Sequence, residues 1–227
     1  MICFKDGYLM ENPDEAIRLD IKTNADAVKA HAAWCGIRPG MRVLDVGCGS
    51  GRTSSILHQI IQPEGQLIGI DLSESRIRYA RENFGYERGI EFKVRDFRYY
   101  LHDLGKFDII WVQFVLEYFK GEAVEIVRNL TSCLKEDGCL CLLDLDNNSL
   151  SHYPMSESME KVIKEIMSQL EKYFNFDPFA GRKLYFHLSS LNFREIELNV
   201  APHRLICGEL NEKELFNWRA KIEMAAK

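Results

Sequence analysis

Residues 43–51 read Val-Leu-Asp-Val-Gly-Cys-Gly-Ser-Gly, and no other segment constrains the fold as tightly. A short apolar run passes a carboxylate, crosses glycines at 47, 49 and 51, and opens into a helical pattern over 51–61. Glycine lets the backbone turn tightly and approach a ligand with no Cβ in the way. Amides at the start of the following helix then face the ligand and favour an anionic group. A dinucleotide site asks for G-x-G-x-x-G. Here Arg52 stands where the third glycine should be, that glycine comes one residue early, and Asp45 lies two residues before the first.

The rest of the chain alternates strands and helices. A helix is expected over 14–34, ended by Pro39-Gly40. Strands are expected at 43–46, 66–70, 90–94, 107–114 and from Gly138 through Leu145. Ser73 caps a helix reaching Phe84, and another covers about 120–134. Strands that are apolar almost throughout belong to a parallel sheet covered on both faces. Right-handed crossovers place a ligand at the carboxyl ends of such strands, beside the first one.

Beyond Asp144 the pattern changes. Residues 147–154 are polar, and 156–174 form an amphipathic helix with Met159, Val162, Ile163, Ile166, Met167, Leu170, Tyr173 and Phe174 on one stripe. A helix at 182–190, a strand at 193–200, a candidate last strand at 203–208 and a helix at 211–226 follow. The 147–180 segment is too long for a plain link. With Tyr153, Phe174, Phe176 and Phe179 nearby it is expected to form a lid that excludes water. The alternative use of the stripe is burial against another copy, so the protein is expected as a monomer or a homodimer.

Charge and cysteine usage narrow the classes. The net charge of −5 argues against non-specific nucleic-acid binding and is compatible with a small cationic cofactor. Seven cysteines, odd in number and with no CxxC pair, read as reduced thiols. No leader pattern opens the chain and no apolar run reaches membrane length, so a cytoplasmic protein without membrane or nucleic-acid partners is expected.

Two further carboxylates follow in order. Asp71 lies 20 residues after Gly51 at the end of the second strand, placed to accept from ribose hydroxyls. Asp96 sits beyond the third strand beside Phe97, where a carboxylate accepts from an exocyclic adenine amine. Leu72 and Phe97 are placed to sandwich the ring. Each aspartate alone reads as a loop or cap residue; arriving after strands one, two and three, they favour a ligand.

These segments, together with GIDLS at 69–73, VRDF at 94–97, FDIIWVQFVLEYF at 107–119 and LKEDGCLCLLD at 134–144, resemble the class I S-adenosylmethionine-dependent methyltransferases. Within that class the chain is most similar to the ubiquinone-biosynthesis-type, or small-molecule, group. The resemblance implies a doubly wound, mostly parallel, seven-stranded Rossmann-like α/β sheet with an amino-terminal helix and a helical lid after strand five. It divides one domain into a cover (1–36), a cofactor-binding core (37–146), the lid insertion (147–180) and a carboxy-terminal part (181–227). It implies that Asp45 with Gly47, Cys48, Gly49 and Gly51 meets the methionyl part of S-adenosyl-L-methionine, leaving S-adenosyl-L-homocysteine as product. It implies Asp71 on the ribose, Leu72 beside the adenine, Asp96 and Phe97 at its edge and face, and Gln113 and Phe114 lining the site. The amino-terminal stretch, Tyr8 with Glu15 and Arg18, resembles a helix that lies over the cofactor in this group, with Arg18 in reach of the methionyl carboxylate or a surface arginine on an amphipathic helix. Arg76 is counted with the cofactor-binding residues, although Arg76, Arg78 and Arg81 together read as a solvated helix face.

The sulfonium methyl is already electrophilic, so alignment is the protein's main task, and a base is needed only where the acceptor loses a proton. Glu117, Tyr118, Asp144, Asp146, His152, Tyr153 and His187 stand near the expected mouth, and no spacing among them identifies a base. His31, His58 and His102 read as structural or solvated. Asp146-Asn147 fits a metal-dependent pattern, but Gln113 replaces the aspartate such a site needs, so no metal is expected. Gln-Phe-Val-Leu at 113–116 also lacks the motif of nucleobase amine methylation. A small-molecule acceptor with an O, N or C nucleophile is the expectation. The alternatives are a non-catalytic S-adenosylmethionine binder and an NAD(P)-type oxidoreductase.

Overall fold

In a computed structural model that describes residues 15–147, 150–202 and 208–225, five parallel strands form one sheet. They are β1 (Arg42–Val46), β2 (Gln66–Asp71), β3 (Ile90–Val94), β4 (Phe107–Gln113) and β5 (Leu134–Leu143). The order is β3-β2-β1-β4-β5, so the chain reverses direction of winding between β1 and β4. Eight helices accompany them among the described residues: α1 (Glu15–Lys22), α2 (Ala25–Trp34), α3 (Arg52–Ile61), α4 (Glu74–Phe84), α5 (Ala123–Thr131), α6 (Glu157–Tyr173), α7 (Leu184–Ser190) and α8 (Glu212–Ala225).

Alternation of side chains along the strands builds a core on each face. Leu44, Val46, Ile68, Ile70, Ile110 and Val112 pack with Ile126, Val127 and Leu130 of α5. Val43, Leu67, Ile109 and Trp111 pack on the opposite face with residues of α2, α3 and α4. Strand segments buried on both sides are mostly apolar, and Asp45 in β1 is a buried exception. The carboxyl ends of β1, β2 and β4 therefore converge at the switch point, where a crevice opens.

Several expectations are corrected. The sheet has five strands among the described residues, not seven. Residues 193–200 form no strand: Asn192 and Glu195 both have positive φ, and residues 194–195 bend the chain. The strand considered at 203–208 falls almost wholly outside the described residues, as does Tyr8. The single helix expected over 14–34 is two: Asn24 takes extended angles and its Oδ1 accepts from the Asp26 and Ala27 amides at 3.0 and 3.1 Å, starting a new helix. Among the described residues no helix is long and apolar enough to cross a membrane.

Candidate functional site

A cavity of about 780 Å³ lies at the switch point. Its floor is the β1–α3 loop and the ends of β2 and β4; its roof is α1, α2 and residues of the 202–214 stretch. Of the residues named from the sequence, Arg18, Asp45, Gly47, Cys48, Gly49, Asp71, Leu72, Arg76, Phe97, Gln113 and Phe114 line it. Asp96 and Gly51 do not.

The loop is built by glycine where nothing else fits. Gly47 has φ +69°, and a Cβ there would meet Val115 Cγ2 at 2.4 Å. Its amide and that of Cys48 both donate to the Ile70 carbonyl, at 2.8 and 3.0 Å. The Gly49 amide donates to Asp71 Oδ2 at 3.0 Å, and the Gly51 amide to the Cys48 carbonyl at 2.9 Å. Four loop amides are thus committed to the protein itself.

Asp71 is held from three sides. Besides Gly49, the Ser73 amide donates to Oδ1 at 2.9 Å and Arg76 Nη2 lies 3.1 Å from the same oxygen. A carboxylate has about four acceptor positions, so roughly one remains. Arg76 is buried against this carboxylate, which corrects its reading as part of a solvated face; Arg78 stays exposed, and Arg81 bonds the Phe92 carbonyl at 2.9 Å.

Asp45 is buried and accepts from Ser54 Oγ at 2.5 Å. Burial pushes its carboxyl up to about 7; the Ser54 bond pulls it down, and the neighbouring Asp71 charge pushes it up again. Asp96 has a different fate. Arg98 grips it through Nε at 3.0 Å and Nη2 at 2.7 Å, and the Arg98 amide adds a bond at 3.0 Å. Burial raises this carboxyl, but the Arg98 bonds outweigh it and hold the group below the usual range. Asp96 therefore braces the turn that presents Phe97, which is buried at the cavity wall.

The roof is anchored by Arg18. It is 2% exposed, donates to Glu15 through Nε and Nη2 at 2.7 and 2.6 Å, and reaches Asn217 of α8 through Nη1 at 2.6 Å. Three of its five donors are used this way. At the end of β4, Phe114 is held at φ +57° by an amide bond to the Leu143 carbonyl at 2.8 Å, with Lys22 Nζ 5.8 Å from its ring. A bulky residue in the left-handed region stores strain of the kind that collects at functional sites.

Of the seven groups considered as bases, Tyr118 alone lines the cavity. Asp144 is raised well above its ordinary value, by burial and then by Glu117, and accepts the Glu117 and Leu145 amides at 3.1 and 2.9 Å. Asp146 pairs with Arg182 at 2.7 Å, His152 lies edge-on to Trp218, and Tyr153 is exposed. His187 is lowered by burial and by Lys183. Helix α6 is also elsewhere. It borders a smaller hollow with Leu150, Met155 and Phe179 and is tied to Lys120 through Glu171, so it does not roof the large cavity. His31, expected to be structural or solvated, lines the cavity, and its Nδ1 is buried with no partner among the described residues. Its spacing from Ala27 and Val28 put all three on one helical face, which was the available signal.

The model of a methyltransferase domain family matches residues 37–202 of this sequence. This chain belongs to the class I methyltransferase family. The ubiquinone biosynthesis O-methyltransferase of Saccharomyces cerevisiae is 30% identical to it over 177 residues, 76% of this chain and 53% of that protein. The ubiquinone/menaquinone biosynthesis C-methyltransferase of Pseudomonas entomophila is 25% identical over 197 residues, 82% of this chain and 72% of its own. A SAM-dependent methyltransferase structure from Aquifex aeolicus shares the methyltransferase fold, with a TM-score of 0.52, 21% identity, and coverage of 68% of this chain and 87% of that one. The chain spans about half the length of several curated relatives it matches.

Proposed function

We propose that the chain transfers the methyl group of S-adenosylmethionine to a small-molecule acceptor. The cofactor supplies a methyl group on a positively charged sulfur, open to in-line displacement by a nucleophile. The observation that carries this reading is the pairing of spent loop amides with two buried carboxylates, Asp45 and Asp71, in one cavity wall. A pyrophosphate needs free amides and positive potential, which argues against the dinucleotide alternative. A sulfonium and an ammonium group instead find carboxyl oxygens in the wall, with Asp71 held by Arg76 and Asp45 gaining charge as pH rises through about 7.

The residues divide the work. The acceptor position left on Asp71 takes a ribose hydroxyl, Leu72 and Phe97 flank the adenine, and Asp96 secures Phe97 through the Arg98 turn. The two remaining Arg18 donors serve the methionyl carboxylate, beneath a cover formed by α1 and α2 and joined to α8 through Asn217. Residues 37–146 hold the cofactor. Gln113, Phe114 and Tyr118 border the space left for the acceptor, and Tyr118 is its nearest proton-accepting candidate. The protein works in the cytoplasm as a monomer or homodimer. The yeast relative is named an O-methyltransferase and the Pseudomonas relative a C-methyltransferase of quinone biosynthesis, so the acceptor panel begins with quinol-type phenols and extends to amines and carboxylic acids.

The test is transfer of a tritiated methyl group from S-adenosylmethionine to that panel. Label in an acceptor, lost in Asp71→Ala, supports the reading. Tight cofactor binding with no acceptor ever labelled replaces it with a non-catalytic binder.

A further inference from the structure

Three thiols meet at the edge of the sheet. β5 is an edge strand among the described residues, and Cys139 and Cys141, two residues apart on it, project from the same face. Their sulfurs are 3.9 Å apart. Cys139 is exposed and Cys141 is buried, so one thiol meets solvent while its neighbour is shielded behind it. Cys35, which caps α2, brings its thiol against Cys141. None of the three lines the cofactor cavity.

We propose that Cys139 and Cys141 form a peroxide-reactive dithiol, with Cys139 the attacking thiol and Cys141 the resolving one. The Cys139 thiolate attacks one peroxide oxygen. The O–O bond breaks, the other oxygen leaves with a proton as water or alcohol, and Cys139 becomes a sulfenic acid. The Cys141 sulfur then attacks that sulfur, the S–O bond breaks, and the hydroxyl takes the Cys141 proton away as water. Two thiols lose two electrons in all, and one peroxide receives them.

Acidity supports the order of events. The hydrogen bond shared by the two sulfurs brings Cys139 down to about 7, while Cys141 is raised by that bond, by Cys35 and by burial. Thiolates and not thiols react with peroxide, and access decides which of them do. Cys48 and Cys133 are buried, and burial raises both, so they serve as unreactive internal references. Residues two apart on a strand have Cα atoms about 6.8 Å apart, at the upper end of what a disulfide spans. The bridge therefore puckers the strand and is readily reduced, as a reversible switch requires.

The experiment treats the reduced full chain with one equivalent of hydrogen peroxide, alkylates the free thiols and maps the peptides by mass spectrometry. The expected product is a 139–141 peptide lighter by two hydrogens, with Cys48 and Cys133 alkylated. Cys141→Ser is expected to stop at a Cys139 sulfenic acid that dimedone traps, Cys139→Ser to abolish bridging, and Cys35→Ser to leave it intact. Because Cys139 is exposed, its variant tests the idea even if Cys141→Ser folds poorly. A bridge that survives Cys139→Ser, or oxidation of Cys48 and Cys133 as fast as Cys139, overturns the proposal.

Discussion

Arg76 Nη2 lies 3.1 Å from Asp71 Oδ1, and both side chains are buried at the tip of β2. The pair joins the first turn of α4 to the floor of the cavity. It also fixes Asp71 with one oxygen toward the glycine loop, through the Gly49 amide at 3.0 Å. A cofactor ribose would meet a carboxylate already oriented by three donors, with little ordering left to do on binding.

Asp71→Ala is expected to weaken S-adenosylmethionine binding by about 10- to 100-fold, since a charged acceptor is worth roughly 1.5–3 kcal/mol. The same change removes the carboxylate that the buried Arg76 faces, so thermal stability falls as well. Asp71→Asn restores part of the packing but little of the affinity. Calorimetry showing unchanged affinity for both variants would contradict the assignment.

Asp45 gives the site a pH signature. Its folded-state value of about 7 stands above the ordinary 3.8, so the folded protein holds this proton more tightly than the unfolded chain. Stability contributed by the protonated form is present at low pH, declines between about 4 and 7, and is lost above 7. Asp45→Asn should therefore be more stable than the parent at pH 8, by on the order of 1–4 kcal/mol, with the gain shrinking toward pH 4. Urea melts at the two pH values check this; an equal difference at both would refute it. The gain in stability should come with weaker cofactor binding.

The β1–loop–α3 segment and the site residues at strand tips were legible because spacing alone places them: carboxylates and glycines at strand ends have one crevice to enter. The Arg98 grip on Asp96 was not legible, because a sequence pattern does not show which nearby partner a carboxylate takes. The stripe on α6 revealed an apolar face but not its neighbour, and the helix settled away from the cavity. The break at Asn24 was visible as a good cap, yet the apolar spacing on either side of it hid the boundary.

Gly51 tests packing apart from binding. At φ +81°, a Cβ would meet Ala80 Cβ at 2.8 Å and Phe92 Cζ at 2.9 Å, and the residue does not line the cavity. Gly51→Ala is expected to destabilise the fold by about 1–3 kcal/mol through backbone strain and overpacking. A cofactor affinity reduced more steeply than stability would show that this glycine touches the ligand after all.

The roof depends on α8. Asn217→Ala removes the Nη1 partner of a buried Arg18, at a cost of about 1–3 kcal/mol. Hydrogen exchange is expected to quicken in α1 and α8 together, while β1 and β4 stay protected. Faster exchange in α8 alone would mean that Arg18 does not couple the two helices.

Thermal unfolding with S-adenosylmethionine or NADH added separately tests the central assignment most directly, because a ligand that binds the folded state alone raises the melting temperature by mass action. The account predicts a rise with S-adenosylmethionine that is lost in Asp71→Ala, and no rise with NADH. A rise with NADH, or none with S-adenosylmethionine, would contradict it.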